Sequence, residues 1–245
     1  MMLVSVIIPY FKDEKNIVNS VNSALNQSYN KIEIIIIDDE NSKKSYQLLS
    51  NLKNKKIKIF QTKKNLGVAR ARNLGIKKSK GDFIAFLDSD DLWKKNKLYY
   101  QLKIMKKYSI DFCFTAYQAV REKKVIYSVS SPKKINYNQL IYSNPICCSS
   151  ILIKSKILKK NYFKNIQTKE DYELWLRLAK KNFSFMGINK TLTKYQLRKN
   201  SLSSKHLNKI KNAFLIYYKF NNFDYIKSLF CVLILYWNAF KKKFL

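Results

Sequence analysis

Uninterrupted apolar runs alternate with amphipathic segments through the first part of the chain. The runs at residues 3–8 and 32–37 predict strands buried on both faces, and the runs at 57–60 and 83–87 predict a third and a fourth strand. Between and after them, apolar residues recur three or four positions apart, which predicts a helix after each strand. This order predicts an α/β fold with a mostly parallel sheet flanked by helices. The apolar positions of the four helices are Ile17, Val21, Ala24 and Leu25; Leu48, Leu49 and Leu52; Val68, Ala71, Gly75 and Ile76; and Leu98, Leu102 and Met105.

The middle of the chain has a more mixed pattern. Residues 111–117, 124–129 and 149–153 predict strands of an antiparallel or edge region. Residues 171–181 carry an apolar face at helical spacing and predict a helix, and residues 183–188 predict a strand after it.

From residue 207 the pattern becomes that of an amphipathic helical tail. An apolar stripe at helical spacing is followed by a wholly apolar run at residues 229–237, with lysines on both sides. A membrane-spanning helix needs about 20 apolar residues, so this run predicts a helix that lies on a bilayer or packs on the domain. The chain is therefore predicted to divide into a domain at 1–205 and a tail at 206–245, with possible peripheral membrane contact through 207–245. The stripe consists of Leu207, Ile210, Phe214 and Tyr217.

The net charge indicates which classes of binding partner the surface attracts, but it does not select one class. Lys and Arg total 48 and Asp and Glu total 16, which gives 48 − 16 = +32. Such a surface attracts nucleic acid, anionic lipid or phosphorylated small molecules, although most of the lysines are expected to form a solvated face.

The cysteines indicate a reducing compartment. Four cysteines without a C-x-x-C pair, together with a single histidine, argue against a zinc site and a disulfide framework. A cytoplasmic location is the simplest expectation.

Three carboxylates crowd the end of the fourth predicted strand. Asp88, Asp90 and Asp91 would repel one another, and a hard divalent cation such as Mn²⁺ or Mg²⁺ removes that penalty. In an extended segment Asp88 and Asp90 point the same way, so they are expected to share one ion that neutralises a leaving diphosphate. The alternative is a polar turn in which Asp90 or Asp91 caps the next helix.

The ends of the first two strands are predicted to lie on the same sheet edge as this cluster, where open parallel sheets bind ligands. Tyr10 or Phe11 is a candidate to stack on a base, with core packing as the alternative. Asp39 is a candidate to accept hydrogen bonds from a base or a ribose. The alternative for Asp39 is a strand-end turn before a helix capped by Asn41 or Ser42.

Two helix starts complete the candidate site. Gly67 allows a tight entry into the third helix, and Arg70 is a candidate phosphate or base contact, with a surface arginine as the alternative. Asp171 is a candidate general base that takes a proton from an acceptor hydroxyl. The alternative is a capping box between Thr168 and Asp171.

Across residues 3–205 the chain resembles family 2 glycosyltransferases, which have the GT-A (Rossmann-like) fold. Each matching motif is weak alone, but five in this order and spacing make coincidence very improbable. The motifs are residues 4–10 followed by Glu14, and residues 37–39, 65–75, 81–91 and 170–177.

The resemblance implies that Asp39 binds the base, Asp90 the metal, and Asp88 the ribose or the metal. It also implies that Asp171 is the catalytic base of a single inverting displacement. The implied donor is a nucleotide sugar, usually UDP-linked, and the implied acceptor is a glycan, often lipid-linked, at the inner face of the cytoplasmic membrane. No nucleic-acid partner is expected. The implied donor-binding residues are Pro9, Tyr10, Phe11, Glu14, Asp39, Asn65, Arg70, Asp88, Ser89 and Arg198.

The chain departs from the family pattern at Lys12, Glu40 and Lys95, which puts the choice of donor in question more than the reaction. Two other classes are weighed against this interpretation. A nucleotidyltransferase is disfavoured because residues 9–14 contain no glycine to hold a triphosphate. A basic polyanion-binding protein without catalysis is disfavoured by the acidic cleft.

Overall fold

The computed structural model describes residues 2–197 and 206–244. In these residues one mixed sheet runs through the molecule, and the predicted α/β class is confirmed. The strands are β1 (Val4–Tyr10), β2 (Ile32–Asp38), β3 (Ile57–Gln61), β4 (Phe83–Phe86), β5 (Leu92–Trp93), β6 (Phe112–Arg121), β7 (Lys124–Val129), β8 (Leu152–Lys154) and β9 (Phe185–Gln196). The helices are α1 (Ile17–Leu25), α2 (Lys43–Ser50), α3 (Val68–Lys78), α4 (Lys97–Tyr108), α5 (Tyr137–Leu140), α6 (Ser155–Leu158), α7 (Glu170–Lys180), α8 (His206–Leu215) and α9 (Tyr225–Phe244).

The sheet has a parallel half and a mixed half. Its strand order is β3-β2-β1-β4-β8-β6-β9-β5, and β7 pairs with β6. The first four strands in this order are parallel, as predicted. β1, β2 and β4 are buried, whereas β3 at the edge of the sheet is only partly buried. β8 is antiparallel to both of its neighbours, whereas β9 runs parallel to β6.

Several details differ from the predicted elements: β6 runs on to Arg121, and the short helices α5 and α6 were not predicted. The predicted strand at 149–153 begins as a 3₁₀ turn at Cys148–Ser150, and the strand itself is shorter, because only Leu152–Lys154 pairs with the neighbouring strands β4 and β6. β9 extends to Gln196, well beyond the predicted strand end, because its whole length pairs with β6. The two-residue strand β5 was not predicted, since it exists only through its antiparallel pairing with β9.

The predicted common edge of the first strands is confirmed. In the register of β1 and β2, Tyr10 pairs with Asp38, and Ile7 of β1 pairs with Phe86 of β4. Consecutive side chains of a strand point to opposite faces. Val6 and Ile8 therefore pack in the core shared with α1, α2 and α4, whereas Ile7 packs in the core shared with α3 and α7.

The tail packs on the domain through one face. Ala213 of α8, Cys231 and Leu235 of α9 and Tyr217 of the intervening π-helical segment Ile216–Phe220 are buried in the same core as Trp175 of α7. None of the helices in the described residues is long and apolar enough to span a membrane. The division of the chain at residue 205 stays a prediction.

Candidate active site at the carboxyl edge of the sheet

The aspartate cluster after β4 forms a tight turn. The backbone N–H of Asp91 donates to the carbonyl of Asp88 at 3.0 Å, so the predicted extended geometry of this segment is wrong. A metal ion shared by Asp88 and Asp90 stays a prediction. The alternative of a polar turn is correct, but its helix-cap part is wrong, because α4 begins later, with Asn96 as its N-cap residue. Asp88 and Asp90 are partly exposed, whereas Asp91 is buried.

Side chains from other elements hold this turn in place. The Ser20 hydroxyl of α1 donates to the carbonyl of Asp91 at 2.5 Å, and the Ser89 hydroxyl donates to Asp13 Oδ2 at 2.7 Å. The backbone N–H of Asp88 donates to Ser149 Oγ at 3.0 Å. Ser89 therefore positions the turn, and its hydroxyl proton is engaged within the protein.

Asp91 connects the turn to the end of β9. Its Oδ1 accepts a hydrogen bond from the backbone N–H of Gln196 at 2.8 Å. Burial raises the pKa of Asp91 well above its ordinary range, and the charges of Asp90 and Asp88 act in the same direction. Asp91 is thus a structural carboxylate that supports the turn from inside.

Two partly exposed carboxylates remain as candidate metal ligands, Asp88 and Asp90. In the described residues no group of three or more His, Cys, Asp or Glu side chains is arranged to hold a metal. Mg²⁺ is commonly bound by one or two carboxylates together with substrate phosphates, so the donor set fits a metal that arrives with a diphosphate.

A buried arginine joins the turn to the start of α7. Arg72 is nearly inaccessible, and its two terminal nitrogens bind Asp88 Oδ1 at 2.7 Å and Glu170 Oε1 at 2.5 Å. Burial alone would lower the pKa of the guanidinium, but the neighbouring carboxylates raise it above its ordinary value, so Arg72 stays charged. Burial also raises the pKa of Glu170 to about 7, against the opposing effect of Arg72.

Asp171 follows Glu170 in the first turn of α7. This position favours a carboxylate because the N-terminus of a helix carries partial positive charge. Burial raises the pKa of Asp171, and the charge of Arg72 opposes that shift. The capping-box alternative is wrong, because Lys169 is the N-cap residue and Thr168 instead accepts a hydrogen bond from Asn212 of α8.

Asp39 organises the loop before α3. Its Oδ1 accepts from the backbone N–H of Leu66 at 2.8 Å and from the Thr62 hydroxyl at 3.0 Å, and its Oδ2 accepts from the N–H of Gly67 at 2.8 Å. Of the alternative for this region, the helix cap is confirmed, since Ser42 caps α2, whereas the binding role of Asp39 stays a prediction.

The other predicted donor contacts occupy different environments. Tyr10 lies in the core, and Phe11 is 45% exposed at the same strand end. Asn65 and Arg70 are exposed at the start of α3, and partly buried Glu14 pairs with Lys44 at 2.7 Å. Pro9 is partly exposed at the end of β1. Arg198 lies outside the described residues.

The sequence interpretation did not single out Arg72 or Glu170. Both stand in motifs that carry the family resemblance, but 98 positions separate them, so no periodicity connects them. A signal that could have pointed to Arg72 is its position on the side of α3 opposite to exposed Arg70.

Replacing Arg72 with methionine is expected to lower the free energy of unfolding by about 3 kcal/mol, since it leaves two carboxylates without their buried partner. Urea unfolding would measure this loss. Arg70→Met, on the exposed face of the same helix, is the matched control and should change stability little. A second change, Glu170→Gln, should restore part of the loss. An R72M protein as stable as the R70M protein would contradict this role.

Comparison with known proteins identifies the family of this chain. Residues 5–162 match the model of glycosyl transferase family 2. The chain is 34% identical to the Escherichia coli UDP-Glc:alpha-D-GlcNAc-diphosphoundecaprenol beta-1,3-glucosyltransferase WfgD, over 85% of this chain and 83% of WfgD. It is 32% identical to Bacillus subtilis TuaG, a glycosyltransferase assigned provisionally to teichuronic acid biosynthesis, over 98% and 97% of the two chains. The chain therefore belongs to glycosyl transferase family 2.

Solved structures support the GT-A fold. Staphylococcus aureus TarS 1–349 in complex with UDP-GlcNAc matches with a TM-score of 0.75 at 22% identity, over 98% of this chain and 73% of that chain. The Pyrobaculum calidifontis mannosyltransferase PcManGT, in complex with GDP-Man and Mn²⁺, matches with a TM-score of 0.69 at 13% identity, over 95% and 69%. These likenesses concern the fold; membership of glycosyl transferase family 2 makes the chain a glycosyltransferase and sets aside both rival classes, the nucleotidyltransferase and the non-catalytic polyanion-binding protein.

Proposed function

We propose that this chain is an inverting glycosyltransferase that moves a sugar from a UDP-sugar to a hydroxyl group of a lipid-linked glycan, with the help of a divalent cation. The observation that carries the proposal is the Arg72 bridge, in which one terminal nitrogen binds Asp88 and the other binds Glu170, the residue directly before Asp171. We therefore assign Asp88, the candidate metal ligand, and Asp171, the candidate general base, to one site.

The donor half of the proposed site is the aspartate turn with the ends of β1 and β2. Asp88 and Asp90 would hold Mn²⁺ or Mg²⁺, whose charge would neutralise the diphosphate of the leaving nucleotide. Phe11 is the exposed aromatic side chain for a base to stack on. Asp39 Oδ2 accepts one hydrogen bond from Gly67, which leaves it capacity for one more donor, such as a base N–H. Pro9, Glu14, Asn65, Arg70 and Arg198 are the further donor contacts that we propose.

The acceptor half of the proposed site is the start of α7. The acceptor oxygen attacks the anomeric carbon, the bond from that carbon to the diphosphate breaks, and the hydroxyl proton passes to Asp171. One displacement inverts the anomeric configuration. A carboxylate whose pKa is raised by burial is a stronger base than an ordinary aspartate, which suits this step.

The proposed acceptor is supported by the relatives. WfgD is named for transfer to a diphosphoundecaprenol-linked sugar, which is a lipid-linked acceptor. We propose that this chain uses an acceptor of that class at the cytoplasmic face of the membrane, where nucleotide sugars are available.

Thermal unfolding with a panel of nucleotide sugars tests the donor assignment. We expect UDP-glucose or UDP-GlcNAc to raise the melting temperature in the presence of Mn²⁺, and the shift to shrink when EDTA replaces the metal, because a ligand that binds only the folded state stabilises it. A shift produced by dTDP- or GDP-sugars alone would contradict the UDP assignment. The absence of any shift across the panel would contradict the donor site itself.

A further inference from the structure

One face of α9 carries a line of large apolar side chains that the described residues, 2–197 and 206–244, leave exposed. These residues are 53% to 79% exposed and follow one another at spacings of four and three positions, so they form a single stripe along the helix. We name this set the α9 stripe. It consists of Ile226, Phe230, Leu233, Trp237 and Phe240.

The opposite face of α9 is anchored to the domain. Cys231, Val232 and Leu235 are buried in the core, and Asn238 Nδ2 donates to the carbonyl of Tyr142 at 2.9 Å. The helix is therefore already folded and docked on one side, and the α9 stripe is presented outward without any rearrangement. An uninterrupted line of five large apolar residues is unusual on the surface of a soluble protein and indicates a binding surface.

The charges beside the α9 stripe favour an anionic partner. From residue 206 to the end the sequence contains seven lysines and one acidic residue, Asp224. The ammonium group of Lys241 lies over the ring of Trp237, 5.3 Å from its centroid, and that of Lys227 lies 4.3 Å from the ring centroid of Phe223. The one acidic residue, Asp224, lies at the start of α9, where its carboxylate accepts a hydrogen bond from the backbone N–H of Lys227.

A second copy of the chain fits this surface poorly. Each chain has a net charge of +32, and pairing two α9 stripes would bring their flanking lysines together. A bilayer with anionic headgroups offers both an apolar phase for the stripe and negative charge for the lysines. A tryptophan within the stripe suits the boundary between headgroups and acyl chains.

We propose that the α9 stripe docks flat on an anionic lipid bilayer, with the stripe buried at the headgroup boundary and the lysines on the headgroups. The docked tail also contacts the helix that carries Asp171. The hydroxyl groups of Tyr172 in α7 and Tyr217 lie 2.8 Å apart, and Asn212 donates to Thr168 at 2.9 Å. Docking would therefore hold the start of α7 at a fixed height above the membrane.

Co-sedimentation of the full chain with vesicles tests this proposal independently of catalysis. We expect binding to vesicles of equimolar phosphatidylglycerol and phosphatidylcholine, and much weaker binding to phosphatidylcholine alone. The double variant Leu233→Ser/Trp237→Ser should lose at least about tenfold in its partition onto the anionic vesicles. The matched control, Tyr46→Ser/Tyr99→Ser, removes two exposed aromatic rings from α2 and α4 and should bind like the parent.

Two results would overturn the proposal. One is a stripe variant that binds anionic vesicles as tightly as the parent chain. The other is a parent chain that does not bind anionic vesicles; if that chain forms a dimer in solution that the stripe variant cannot form, the occupant of the stripe is a second copy. The stripe variant should keep the melting temperature and the UDP-sugar binding of the parent, so a failure of the donor assignment is distinguishable from a failure of docking.

Discussion

Replacing Asp171 with asparagine is expected to slow sugar transfer by about a thousandfold while donor binding stays intact. Asparagine keeps the shape of the side chain and its place in the first turn of α7, but it does not accept the proton of the acceptor hydroxyl. Steady-state transfer rates, with donor affinity measured separately, would separate the two effects. A variant that loses donor affinity in step with its rate would contradict the assignment of Asp171 as a base.

The pH dependence of transfer provides a second readout for Asp171. The base must be ionised to work, and burial raises its pKa, so the rate should fall with decreasing pH at a higher pH than for an ordinary aspartate. This acid limb should disappear in Asp171→Asn. Asp111→Asn, which removes a carboxylate paired with Lys154 instead, is the matched control and should keep the limb.

Replacing Asp90 with asparagine is expected to remove metal-dependent donor binding and to lower transfer by roughly a thousandfold, since an amide does not supply the charge that a hard divalent cation needs. Calorimetric titration of UDP-sugar with and without Mn²⁺ would measure the first effect. In the parent chain the metal should tighten donor binding, and in the variant it should make little difference.

The control for Asp90 lies at the other end of the same strand. Asp82 precedes β4, is exposed and accepts a hydrogen bond from the N–H of Leu3, so Asp82→Asn removes one carboxylate away from the site. It should bind donor with the same metal dependence as the parent. An Asp90→Asn protein that shows the parent's metal dependence would remove Asp90 from the proposed metal site.

The sequence predicts the parallel half of the sheet well because burial on both faces leaves a clear signal. The run at residues 32–37 has no polar interruption except Glu33, and that carboxylate is buried with the Ser5 hydroxyl and Lys58 as partners. Strand ends then follow from topology, which is why Asp39 and Asp88 were expected on one edge. The two-residue strand β5 is too short for any periodicity to reveal.

The shape of the site depends on contacts that no local pattern contains. The segment from Asp88 to Asp91 turns because Ser20 and Ser149, both distant in sequence, hold its backbone. The position of Arg72 also depends on contacts between distant residues, because its two carboxylate partners come from different elements. In the tail, the apolar run at 229–237 predicts a helix but does not indicate which side of it stays exposed.

The most direct test of the central claim is release of nucleoside diphosphate from nucleotide sugars, with Mn²⁺ and a lipid extract that contains diphosphate-linked sugars as the acceptor. We expect at least one UDP-sugar to release UDP in equal amount to the sugar gained by a lipid product of inverted anomeric configuration, and Asp90→Asn and Asp171→Asn to be nearly inactive. If no UDP-, dTDP- or GDP-sugar loses its sugar under these conditions, or if both variants are as active as the parent, this account of the site is wrong.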